Sequence, residues 1–184
     1  AQSFIFNKSL NLRISSGMPI STPVEGDLVG RIDEKGQLNV GSCVTVESRT
    51  LPRISRNCKM GRLVTTGPLP GSEIYVAGGK SEQIELSAIN ECGLAEISWM
   101  VEEIPRLSTK GTRRALVTNF NDLFIDSVPI AMADSLGEKW QQGPTDNSRW
   151  HPEGACLRFR FSLSSGSYAT TLLREFMQCP LNQL

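Results

Sequence analysis

The sequence predicts an α+β chain: a small curved mixed sheet with packed helices, then a strand, a tight turn and a helix near the C-terminal end. Three observations carry that prediction. β-branched residues alternate around glycines in PVEGDLVGRID and LNVGSCVTVES, the pattern of short bent strands. Phe6, Leu10 and Ile14 recur at helical spacing. Leu157, Phe159, Phe161 and Leu163 alternate with Cys156, Arg158, Arg160 and Ser162, and Ala169, Leu172, Leu173 and Phe176 then follow at helical spacing until Pro180.

With 184 residues and 39% apolar content, the chain suffices for one ordinary domain, or for a domain and part of a second. No apolar run is long enough to cross a membrane as a helix, so no membrane partner is expected. There is no signal peptide and the first residue is Ala1 rather than Met, which suggests a piece of something longer. Lys and Arg total 19 against 19 Asp and Glu, so the overall basic surplus usual in nucleic-acid binders is absent. Only local clusters can speak for such a partner. Cys43, Cys58, Cys92, Cys156 and Cys179 are odd in number and widely spaced, with no Cys-x-x-Cys. Reduced thiols in a cytoplasmic protein are expected, without structural zinc or a disulfide framework. His151 is the sole histidine, which removes most Ser-His-Asp and Cys-His schemes unless it serves in one. No metal or cofactor is expected.

Residues 3–16 read as the first helix, stopped by Gly17 and Pro19. After the two short strands, residues 49–62 carry Arg49, Arg53, Arg56, Lys59 and Arg62 with no acidic residue between them. Thr50 can cap a short helix there, Pro52 fits its first turn, and Gly61 ends it. The cations then form a drifting stripe, open to two readings: a solvated helix face, or a face that contacts phosphates. RLVTTGPLPGSE is a strand and a loop, and matches neither a phosphate-binding GK[ST] loop nor a dinucleotide fingerprint. GKSEQIELSAINECG is helical, with Ile84, Ala88 and Cys92 on one side and Gly93 as terminator. Lys110, Gly111, Thr112, Arg113 and Arg114 form a compact basic turn entering a strand, either a packed structural element or an anion site beside a flexible glycine. Residues 134–155 are polar and turn-rich, a connecting loop in which Trp140 and Trp150 act as pins and His151 as a surface residue.

The last strand leaves through SSGSYATT. Ser164, Ser165, Gly166 and Ser167 are ordinary turn residues; Tyr168 is not. An aromatic side chain at that bend either seals the core beneath the turn or faces a ligand above it. The end of a strand running into the start of a helix is a common address for ligands in mixed α/β folds.

Five stretches taken together, QSFIFNKSLNLRI, PVEGDLVG, TTGPLPGSE, STKGTRRALV and FSLSSGSYATTLLREF, resemble the C-terminal part of TruD-type tRNA pseudouridine synthases. The LSTKGTRR form resembles archaeal members more than bacterial ones, and GSYAT-x-LLRE is the most specific piece. The resemblance implies an enzyme that flips a uridine, typically position 13 of certain tRNAs, breaks its glycosidic bond and rejoins the base through carbon. An aspartate does this without cofactor, attacking the sugar or the base. It further implies that residues 1–126 are the family's inserted domain and that residues 127–184 return to complete the catalytic-domain sheet.

By the same resemblance Tyr168 takes the active-site aromatic position, with Gly166, Ser167, Arg174 and Glu175 organising the site; an ordinary ion pair is the other reading of the last two. Arg53, Arg56, Lys59, Arg62, Lys110, Arg113 and Arg114 are the candidate RNA contacts. The family's nucleophile lies in an upstream Gly-Lys-Asp motif, and neither that motif nor the upstream Gln-Arg-Phe-Gly region occurs here. Asp27 matches a structural family position, and none of Asp27, Asp33, Asp122, Asp126, Asp134 and Asp146 is nominated in the nucleophile's place. The expected partners are tRNA and the N-terminal catalytic half, in the same or a separate chain, and the chain alone is expected to be inactive. The alternative is a non-catalytic RNA-binding or scaffold module of the same descent.

Overall fold

The computed structural model describes residues 1–72, 75–95, 98–99, 108–128, 156–164 and 166–177. It divides into two compact units, Ala1–Asn119 with Ser164–Leu184, and Phe120–Leu163. This division by compactness differs from the limits expected from the resemblance, 1–126 and 127–184.

In the first unit the elements run α1 (Gln2–Ser15), β1 (Leu28–Ile32), β2 (Leu38–Thr45), α2 (Leu51–Lys59), β3 (Leu63–Leu69), α3 (Gly79–Glu91), β4 (Thr112–Ala115) and α4 (Ala169–Met177). The strands form one sheet in the order β2-β1-β3-β4. The α+β class holds, but every described pairing is antiparallel rather than mixed. The reason is the topology: β1 and β2 form a hairpin, and β3 and β4, from distant parts of the chain, each run against the strand they join. Asp33 tightens the hairpin by accepting the Lys35 and Gln37 N–H groups at 2.9 and 2.8 Å. A register shift between Val29 and Arg31 bends β1, as the glycine-containing pattern leads one to expect.

Three side chains of α2, Leu51, Ile54 and Cys58, pack against Val29, Val46 and Leu63. Each fully buried aliphatic side chain of this kind contributes about 1.5–3 kcal/mol. On α1 the buried face differs from the expected Phe6–Leu10–Ile14 stripe. Ile5, Phe6, Ser9 and Arg13 are buried, while Ile14 is exposed. The helix is turned by an internal ion pair: Arg13 grips Asp27 through two hydrogen bonds of 2.6 and 2.7 Å. The Ser81 hydroxyl and the Val24 N–H also donate to the Asp27 carboxylate. Asp27 therefore ties α1 and α3 to the start of β1, in keeping with a structural aspartate.

The second unit is a two-stranded antiparallel ribbon of β5 (Phe120–Val128) and β6 (Cys156–Leu163), in register from Phe120↔Leu163 to Val128↔Cys156 with one shift between Asn121 and Phe124. Two strands bury little. Phe120, Phe124, Ile125 and Leu157 are exposed, and Phe159 and Phe161 are half-buried. The connecting loop, with Trp140, Trp150, His151, Asp134 and Asp146, lies outside the described residues. No helix among the described residues is long and apolar enough to cross a membrane.

Candidate functional site

The turn that follows β6 is held by its own hydroxyls. The Ser167 N–H donates to the Ser164 carbonyl at 3.1 Å, and Gly166 takes φ +84°, a left-handed value that a side chain resists. The Thr118 hydroxyl lies 2.9 Å from that of Ser164 and 3.2 Å from that of Ser167, which are themselves 3.2 Å apart. This triangle stitches the turn to the chain beyond β4. The Tyr168 carbonyl then accepts the Thr171 N–H at 3.1 Å and opens α4. Gly166 and Ser167 thus set where Tyr168 emerges.

Tyr168 is 54% exposed, so it is no plug beneath the turn. The Arg114 guanidinium lies 5.4 Å from the centre of its ring and 5.2 Å from that of Phe6, within cation–π range of both. The Ser3 hydroxyl bonded to the phenol oxygen, and next the Arg114 charge, bring the phenol below its ordinary pKa. One cation and two aromatic rings, from β4, α1 and the head of α4, form a single cluster.

Arg113 and Arg114 are neighbours on β4 and point to opposite sides, as alternation along a strand requires. Arg113 is 3% exposed. It donates to both Glu85 oxygens at 2.7 Å, to the Thr66 carbonyl at 2.8 Å, to the Thr66 hydroxyl at 3.1 Å and to the Tyr75 carbonyl at 3.2 Å. All five guanidinium N–H groups are engaged, so the expectation that Arg113 contacts RNA is replaced by that of a structural bolt. Burial outweighs Arg113 at Glu85 and raises the carboxyl pKa above its ordinary value. Arg114, also a candidate RNA contact, is half-buried and lies against the Phe6 and Tyr168 rings. Lys110 is exposed on a turn seated by a close approach, since a Cβ on Gly71 would lie 1.9 Å from the Gly111 nitrogen.

Arg53, Arg56 and Lys59 are exposed on the side of α2 opposite its apolar face, and Arg62 is exposed just beyond the helix. Arg49 pairs with Glu47. Thr50 turns its hydroxyl back to the Glu47 N–H, at 3.1 Å, instead of capping α2. On α4, Arg174 is half-buried and Glu175 exposed. Consecutive helix positions do not face each other, so the two do not form a pair with one another. The role of Arg114 was missed in the sequence; its signal was the alternation within Arg113-Arg114, which sends one of the two toward α1.

A family model for tRNA pseudouridine synthase D (TruD) matches residues 1–176. A "Probable tRNA pseudouridine synthase D" of Methanosarcina mazei is 33% identical over 177 residues, covering 96% of this chain and 36% of that protein. A protein of the same name from Natronomonas pharaonis is 28% identical, covering 97% of this chain and 34% of its own length. The chain thus spans about a third of the curated relatives it matches. A crystal structure of M. mazei TruD superposes with a TM-score of 0.72 at 30% identity, covering 100% of this chain and 38% of that one. On the family match across nearly its whole length, this chain belongs to the tRNA pseudouridine synthase D (TruD) family.

Proposed function

We propose that this chain supplies the C-terminal half of a tRNA pseudouridine synthase, and that Tyr168 is the aromatic residue facing the flipped uracil. Residues 1–126 would be the inserted domain, and residues 127–184 would close the catalytic sheet against the N-terminal half. The nucleophilic aspartate comes from that other half, in the same or a separate chain, because no Gly-Lys-Asp occurs among these 184 residues. The enzyme works in the cytoplasm on a uridine of tRNA, position 13 by family resemblance.

The observation that carries this reading is the presentation of Tyr168. An exposed ring stands at the head of a helix, set by a hydroxyl-laced glycine turn and backed by Arg114. Flipping a base costs a few kcal/mol of stacking, which a flat aromatic surface partly restores. Arg53, Arg56, Lys59, Arg62 and Lys110 are exposed cations suited to the tRNA backbone. Exposed apolar residues of the β5–β6 ribbon fit a strand pair awaiting neighbours.

The test is pseudouridine formation in tRNA by this chain joined to a Gly-Lys-Asp-bearing half. Tyr168→Ala is expected to abolish turnover and leave tRNA affinity unchanged; retained turnover refutes the assignment. The chain alone is expected to form none, and isomerisation by it alone would overturn the division of labour. A second reading, a non-catalytic RNA-binding module, draws on the missing motif. It requires salt-dependent RNA binding with no isomerisation even when the other half is added.

A further inference from the structure

We infer that Arg114 is the positioning residue for Tyr168, a guanidinium wedge between a fixed ring and a functional one. The inference rests on the reading of Tyr168 as the base-facing aromatic residue, and adds what holds that ring in its plane.

Phe6 on α1 is 6% exposed, so its ring is a buried platform. Arg114 lies against it at 5.2 Å and against Tyr168 at 5.4 Å. Arg114 is itself anchored, because its neighbour Arg113 bolts β4 to α3 through Glu85 and to β3 through Thr66. The chain of support thus runs from the core through Phe6 and Arg114 to a ring that is otherwise more than half in solvent. An exposed tyrosine without such backing exchanges rotamers, whereas stacking on a base needs one orientation. A planar guanidinium can lie flat on both rings, which a lysine ammonium cannot.

The chain has two tyrosines, so the phenol of Tyr168 can be followed by ultraviolet titration, with Tyr168→Phe assigning its step. Arg114→Met keeps the packed stem and removes the charge. It is expected to move the Tyr168 step upward toward the ordinary phenol value, and Arg114→Lys to restore part of the shift. In the joined synthase Arg114→Met should lower kcat about 10- to 100-fold, the scale of a misplaced reacting partner, while KM for tRNA stays within about twofold. It should cause no further loss in a Tyr168→Ala background. An unchanged phenol titration overturns the wedge, and a shifted titration with unchanged kcat overturns the positioning role. A loss of tRNA affinity with kcat intact would instead make Arg114 a phosphate contact. If Arg114→Met does not fold, Arg114→Lys decides the matter, since an unimpaired kcat without the planar stack refutes the inference. Retained turnover in Tyr168→Ala strikes at the base-facing reading alone, because the titration is read without catalysis.

Discussion

Arg53, Arg56 and Lys59 on α2 and Arg113 and Arg114 on β4 are basic clusters of similar density, and the fold treats them in opposite ways. α2 turns Leu51, Ile54 and Cys58 inward and leaves its cations exposed. β4 sends Arg113 into the interior against Glu85 and Arg114 against Phe6 and Tyr168. A positive charge available for a polyanion is one the protein has not already used. By that criterion the proposed phosphate contacts contract to those of α2, Arg62 and Lys110, and β4 frames the candidate site.

The sharpest way to break this contrast is Arg113→Ala. It strands Glu85 in a largely buried setting, where losing one partner of a buried pair costs about 3–5 kcal/mol. Urea unfolding of the chain measures it; a loss below about 1 kcal/mol would show Arg113 to behave like a surface cation.

A second, smaller effect follows from Glu85 itself. Burial raises its folded-state pKa above the ordinary carboxyl value, so between the two values the folded chain binds the proton more readily than the unfolded chain. Its contribution to stability is therefore full below the ordinary value and falls as pH rises through the raised one. Glu85→Gln should remove this component from the pH dependence of unfolding. Parallel pH profiles for the two proteins would show that Glu85 does not titrate with folding.

The smallest stability effect is expected on α2. Arg53→Ala with Arg56→Ala should alter unfolding by no more than about 0.5 kcal/mol. The same pair should weaken RNA binding regardless of sequence and flatten its salt dependence by about one unit per cation removed. An unchanged slope would return α2 to the role of a solvated helix face.

Much of the local structure that carries the candidate site was legible beforehand for a simple reason. The strand–turn–helix at 156–177 is specified by neighbours: alternation in CLRFRFSL, left-handed glycine at 166, and helical spacing from Ala169. The five-piece resemblance was legible too, and the family match spans the same residues. Illegible were the contacts between segments distant in sequence. Phe6, Leu10 and Ile14 formed a plausible stripe, yet Arg13 is buried because Asp27, 14 residues away, waits inside. Thr50 had the composition of a cap, but its hydroxyl found Glu47 first.

By itself, then, the sequence determined the α+β class, the order and limits of most helices and strands, the glycine turn that carries Tyr168, and the family. These follow from short-range dihedral preferences and from spacings of two and of three to four residues, which a chain carries before it folds. Tertiary structure alone decided that the sheet is antiparallel, that Tyr168 is exposed, and which arginines stay available. Arg113 is occupied by partners 28 and 47 residues away, and Arg114 by rings from the two ends of the chain. The charge of an arginine is local, but its occupancy depends on which distant groups share its low-dielectric surroundings, and packing alone brings those groups together.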